Sequence, residues 1–434
     1  MVFLPIILGI LILILLITVI KLDTFLSFIL VCLFVGLIGG LSIPEGMAAI
    51  QEGIGKTLGS LVMVLGFGAM LGKLVAESGA ANKITNRLVK AFGLKNIQIA
   101  LIITGFIVGI PMFYTVGFVI LVPLVIAIAA QTRLPLLYVG LPMLASLSVT
   151  HGFLPPHPAP TAIAEMYGAD AGRTLIYGII AGIPAIFAAK FLLAKTMQRI
   201  RPTPLKEYVV ETNNDFKIPS LAVCLVVALL PVVLIGGVSI VQSILGENEV
   251  LIALGNPAFA MLIAVLAAIY FLGVRTGRSM KEVMKILSAA ISGVAGVLLI
   301  IAGAGAFKQI MIATGVSNEI GTSLGSLNLS PLLMAWIIAA LIRVCVGSAT
   351  VAALTAASIM MPILTANTDC SPELLVLATG AGSITFSHIN DGGFWLFKEY
   401  FNVSIKETLL SWTVMETTVS IVGLIMVFII DWVI

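Results

Sequence analysis

Apolar stretches of about 15–22 residues follow one another through nearly the whole chain, in the length range of segments that cross a bilayer core of about 30 Å. Hydrocarbon offers no water to bond with, so a spanning backbone must satisfy its own polar groups, as helices and closed barrels do. The apolar runs here are continuous rather than alternating, which selects helices over a barrel. Composition agrees: 60% of the 434 residues are apolar and 10% charged, where a soluble domain carries roughly 25% charged residues. The expected fold class is an all-α polytopic membrane protein. Spans are expected at about 3–20, 25–41, 57–76, 136–150, 173–195, 219–236, 252–273, 288–312, 372–387 and 407–430.

Residues 3–20 lack a basic leader and a small-residue cleavage site, so they read as a retained first span. The net charge of +3 resides in basic residues between spans and gives no signal for nucleic acid. Cys32, Cys224, Cys345 and Cys370 are scattered without CxxC spacing and read as small apolar residues.

An internal repeat organises the chain. At an offset of 237 residues, Ile54, Gly59 and Leu61 fall on Ile291, Gly296 and Leu298, and Gly66, Gly68 and Ala69 on Gly303, Gly305 and Ala306. Pro135, Ser146 and His151 fall on Pro372, Ser383 and His388. A one-residue gap brings Gly79, Asn82 and Ile84 onto Gly315, Asn318 and Ile320. One constant offset over about a hundred residues indicates duplication. Segment 79–95 carries Lys83, Arg87, Lys90 and Lys95 and should be cytoplasmic, whereas its counterpart 315–331 has no Lys or Arg and only Glu319. The two copies are therefore expected to be inverted. Lys21, the linker 196–217 (Arg199, Arg201, Lys206, Lys217) and the stretch 274–285 read as inside. The 237–250 loop, with Glu247 and Glu249, reads as outside, as do both termini.

Two stretches do not fit as simple spans. Residues 97–130 and 332–367 each hold two apolar arms of about 14–16 residues around a polar or proline tip, and at about 1.5 Å per residue each arm falls short of a crossing. They read as re-entrant helical hairpins, because the charge map closes only if each returns to its starting face; the alternative is two short spans each.

Irregular backbone at membrane depth is tolerated only around a cavity, so four interruptions mark the candidate site. They are the hairpin tips Gly109–Thr115 and Val346–Val351, and the breaks Ser146–His157 and Ser383–Gly393. Broken helices present free amides and the positive end of the helix dipole to an anion. Gly347, Ser348 and Thr350 are small and hydrogen-bonding, as are Ser146, Ser148, Thr150, Ser383, Thr385 and Ser387, and Tyr114 and Thr115 sit at the first tip. Such a set suits a small, hydroxyl-rich anion. Each hydroxyl alone would read as a helix-packing residue; the clustering at duplicated breaks favours a site.

Arg343 lies in a hairpin arm, where an arginine faces a partner or a cavity. It either clamps a substrate carboxylate or pairs with Asp391 or Glu416. Asp391, His388 and His151 are the titratable groups available for proton coupling, and each histidine reads equally as a hydrogen-bonding residue that holds its break open. His157, between prolines, reads as structural. No HExxH or paired-ligand spacing supports a metal site, and no Walker loop supports an ATP-driven pump.

The strings HGFLPPHPAPT (His151–Thr161), RVCVGSATVAA (Arg343–Ala353) and FSHINDGGFWLFKEYF (Phe386–Phe401) resemble the gluconate permease family, gluconate:proton symporters of the wider ion transporter superfamily. The resemblance runs along essentially the whole chain. Where the family's strings read RVAQGSATVA, HPGP and NDSG, this chain has Cys345 and Val346, Ala159, and Gly392.

The resemblance implies a secondary active transporter of the cytoplasmic (inner) membrane, with no cofactor and no enzymatic activity, taking up sugar acids such as gluconate with protons. It also implies a homodimer in which a transport domain, built from two hairpins and two broken helices, moves as an elevator against a fixed scaffold. Scaffold elements are then expected from 1–95 and 218–329, transport elements from 96–195 and 330–434, and a cytoplasmic linker at 196–217. Ser148, Thr150 and His151 would line one half-site, Gly347, Ser348 and Thr350 the facing tip, and Ser387, His388, Asn390 and Asp391 the remainder. Relatives in the family are associated with other aldonates, fructuronate and D-serine. A D-serine or sodium-coupled carboxylate carrier and an anion channel are the rival readings.

Overall fold

The structure, a computed structural model, describes residues 3–200, 202, 216–246, 248–315, 329–366 and 370–434. The expectations placed on Arg201, Lys206, Glu247, Asn318, Glu319 and Ile320 lie outside these residues. Every regular element among the described residues is helical.

In the first half these are α1 (Phe3–Thr18), α2 (Thr24–Ile38), α3 (Ile43–Glu77), α4 (Ala80–Phe92), α5 (Ile97–Gly109), α6 (Tyr114–Thr132), α7 (Leu136–Phe153), α8 (Pro158–Tyr167) and α9 (Ala171–Leu192). The second half holds α10 (Leu221–Val232), which continues through a π-turn, then α11 (Pro257–Ala268), α12 (Met280–Ala313), α13 (Pro331–Val346) and α14 (Ala349–Ala366). It closes with α15 (Pro372–Ile384), α16 (Gly392–Tyr400) and α17 (Val414–Val433), the last preceded by a π-turn at Leu409–Thr413.

Order and length recur between the halves, and so does the local chemistry that starts the helices. The long helices α3 and α12 each open on a capping box, Ser42 with Glu45 and Ser279 with Glu282. In each box the serine hydroxyl accepts from the glutamate amide, and the glutamate carboxylate accepts from the serine amide. These residues stand 237 apart, the offset read from the sequence.

Six helical stretches among the described residues are long and apolar enough to cross a membrane: 136–167, which includes the break between α7 and α8, 171–192, 221–242, 257–276, 280–313 and 405–433. Helices α2, α13, α14 and α15 are apolar but shorter. The chain is a multi-pass membrane protein.

α3 and α12 pack along each other with α2 beside them. A methyl group on Gly53 would lie 2.5 Å from the Gly305 carbonyl oxygen, so the two backbones touch there. In hydrocarbon no hydrophobic force drives helices together, and close backbone approach supplies the dispersion contact instead. A second group forms around the broken helices: α5 packs on α7, α13 on α15, and α9 on α17. α7 and α15 meet where Gly152 lies against Gly380, close to the start of each interruption.

The breaks themselves differ from expectation in one respect. The first was placed at Ser146–His157, but α7 stays helical to Phe153 and only Leu154–His157 is irregular. Ser146, Ser148, Thr150 and His151 therefore sit on the last two turns of a helix. Proline at 155 and 156 stops the helix; the upstream serines and threonines do not, since Ser146 and Thr150 return their hydroxyls to the carbonyls of Pro142 and Leu147. The second break runs from Thr385 to Asp391, within the expected Ser383–Gly393.

Candidate substrate site

Four helices begin at one place. Phe113–Val116 at the start of α6, Pro158 at the start of α8, Ser348–Thr350 at the start of α14 and Asp391–Gly393 at the start of α16 all line a single cavity of about 650 Å³. Each helix start exposes amides without intrahelical partners and carries the positive end of the dipole. The opposite wall is apolar and small, built from Gly68, Ala69 and Gly72 of α3 and Ala289, Ala290 and Gly293 of α12, with Lys73 at its edge.

The tips and breaks hold one another in matching ways. The C-terminal carbonyls of α5 and α13 point at the breaks and need donors. His157 Nε2 donates to the Gly109 carbonyl at 2.9 Å, tying the first break to the end of α5. His388 Nε2 donates to the Val344 carbonyl at 3.0 Å, and Asn390 Nδ2 reaches the same oxygen at 2.8 Å, tying the second break to the end of α13. By contact, His388 therefore corresponds to His157, although by sequence register it corresponds to His151. His151 instead faces the cavity, and its Nδ1 is buried with no hydrogen-bond partner among the described residues.

At the second tip Gly347 has φ +80°, and a side chain there would overlap the Asn390 backbone. Only glycine meets both conditions. Arg343, 4% exposed, donates from Nη1 to the Gly347 carbonyl and from Nη2 to Asp391 Oδ2, forming an ion pair at 2.5 Å. Its Nε has no hydrogen-bond partner among the described residues. Asp391 also accepts from Ser387 Oγ and caps α16 by accepting from the Gly393 amide at 3.0 Å. Trp412 Nε1 donates to Ser387 Oγ at 2.7 Å, and the Trp412 ring meets Tyr114 edge-on, with centroids 6.0 Å apart. Tyr114 in turn lies against His151 at 5.8 Å. Charge and aromatic contacts thus run unbroken from one half of the chain to the other.

Of the residues singled out from sequence, Tyr114, Thr115, Ser148, His151, Arg343, Gly347, Ser348, Thr350, Asn390 and Asp391 line the cavity. Thr150, Ser387 and His388 do not. Thr150 is buried against Gly109, Ser387 stands behind Asp391, and His388 holds the α13 carbonyl from outside. Arg343 is paired with Asp391, one of the two alternatives left open for it. Sequence reading missed Trp412, Lys73 and the small-residue wall, and named Glu416 only as a partner for Arg343. Glu416 belongs to the cavity, where its carboxylate accepts from Ser148 Oγ. An acid inside an apolar span was the available signal.

Residues 1–433 match the family described as GntP family permease. The chain belongs to the GntP permease family. This permease is 48% identical over 422 residues to a high-affinity gluconate transporter of Escherichia coli, covering 96% of each chain. It is 46% identical to the Gnt-II system L-idonate transporter of the same organism and 44% identical to the gluconate permease of Bacillus subtilis, again over 96% of each. Family and relatives are permeases and transporters, not enzymes. Among solved structures the permease resembles the YdaH transporter of Alcanivorax borkumensis, with a TM-score of 0.64 at 16% identity over 94% of this chain and 97% of that one. That likeness concerns the fold alone.

Proposed function

We propose that this permease carries gluconate or a closely similar sugar acid across the cytoplasmic membrane together with protons. The observation that supports it is the convergence of four helix starts and Arg343 on one cavity of about 650 Å³. That volume lies in the ordinary range for small-molecule sites, about 300–1,000 Å³. Helix starts favour an anion by about 0.3–1 kcal/mol each at exposed sites. The hydroxyls of Thr115, Ser348 and Thr350 and the Asn390 amide supply the donors and acceptors a polyol needs. The names of the relatives point to the same substrate class.

In this reading the substrate carboxylate competes with Asp391 for Arg343. Thr150, Ser387 and His388 act behind the lining, shaping the helix ends that present it. The two halves form an inverted repeat, and α5–α9 with α13–α17 move as a transport domain against α1–α4 and α10–α12, in a homodimer working by an elevator. Each group packs more extensively within itself than against the other, which supports the division.

Uptake into proteoliposomes under separately imposed gradients tests the coupling. An inward proton gradient should drive accumulation; stimulation by sodium alone would overturn it. Because the uncompensated Glu416 would also receive an ammonium group, labelled gluconate should be challenged with aldonates, uronates and D-serine. Stronger competition by D-serine than by the aldonates would reassign the substrate.

A further inference from the structure

Glu416 is 4% exposed, lies in the cavity wall and accepts one hydrogen bond, from Ser148 Oγ. The ion pairs among the described residues are Glu52–Lys56, Lys73–Glu77, Arg343–Asp391 and Lys398–Glu399. None engages Glu416. The charged and titratable groups around it are Tyr114 from α6, His151 from α7, Arg343 from α13 and Asp391 from the second break, with Lys73 of α3 on the same cavity. Lys73 is matched by Glu77 and Arg343 by Asp391, at 2.9 and 2.5 Å. With His151 neutral, an ionised Glu416 therefore leaves the cavity with one unmatched negative charge before any anion arrives. A substrate carboxylate would add a second, and like charges in one partly desolvated site oppose joint ionisation.

We propose that Glu416 takes up the co-transported proton, so that its neutralisation and the seating of the substrate anion favour one another, with Ser148 holding the carboxyl in place. The assignment rests on the proton-coupled reading above. Asp391, held by Arg343, Ser387 and the start of α16, then serves as the internal stand-in for the substrate carboxylate rather than as the proton carrier. The linkage is reciprocal: if binding favours protonation, lower pH must favour binding by the same factor.

The test is the affinity of the purified full-length protein for gluconate, measured by calorimetry across pH. Over the range where one linked proton is being lost, wild-type Kd should rise with pH by up to about tenfold per unit. Glu416→Gln, which keeps the shape and mimics the protonated acid, should bind with a Kd that no longer follows pH. A flat wild-type profile would remove the coupling reading and this assignment with it. A sloping wild type with an equally sloping Glu416→Gln profile would overturn the assignment alone. Should Glu416→Gln fail to fold, Ser148→Ala decides: losing a hydroxyl that stabilises the carboxylate should displace the rise in Kd to higher pH, and a profile superimposable on wild type would exclude Glu416.

Discussion

At the scale of single residues, Arg343 does two things at once. It bridges the Gly347 carbonyl and Asp391 with separate guanidinium nitrogens, and it faces the cavity. A lysine keeps the charge but not the fork. Arg343→Lys is expected to weaken gluconate binding by about tenfold or more, equivalent to about 1.4 kcal/mol, in calorimetric titration; unaltered affinity would place the substrate carboxylate elsewhere. Thr350, at the start of α14, is one of two hydroxyl residues that the second tip brings to the cavity, with Ser348. Thr350→Val should weaken binding by about 1–3 kcal/mol if a substrate hydroxyl is left unpaired, and no change in Kd would dismiss the contact.

At the scale of elements, the interruptions depend on how helix ends are satisfied. The end of α13 would leave bare carbonyls without His388, Asn390 and Arg343, whereas at the end of α5 His157 shares the Gly109 carbonyl with the Met112 amide. Gly347→Ala places a Cβ at φ +80° and against the Asn390 backbone. The conformation alone costs about 1–2 kcal/mol, and the overlap adds to it, so melting temperature and gluconate uptake should both fall. Ser42→Ala provides the contrast. Removing that cap should cost about 1 kcal/mol of stability while leaving gluconate Kd unchanged, because the start of α3 does not line the cavity. A shifted Kd would show that the α3 capping box reaches the site.

At the scale of the whole molecule, the proposed elevator requires α12 and α14 to slide past each other, and in this state Ser358 Oγ donates to the Ala304 carbonyl at 3.3 Å. A double variant, Ala304→Cys with Ser358→Cys, joined by a short thiol-reactive cross-linker in a background freed of the native cysteines, should stop uptake until the link is cleaved. Uptake that persists after full cross-linking would exclude relative movement at this boundary.

The all-helical class, the 237-residue offset and the neighbourhoods of the interruptions, the first only at its proline end, were legible in the chain because apolar length, glycine and proline act locally. Helix starts are equally local, and so the serine–glutamate boxes and the stops at Pro155 and Pro156 follow from neighbours a few residues apart. Which polar residue faces the cavity depends on contacts between distant segments. Ser148 reaches Glu416 across 268 positions, and only folding sets Arg343 against Asp391. His151 and His388 share a register yet not a task, because a duplicated sequence fixes spacing while the partner each side chain meets is chosen when two different surfaces close on each other.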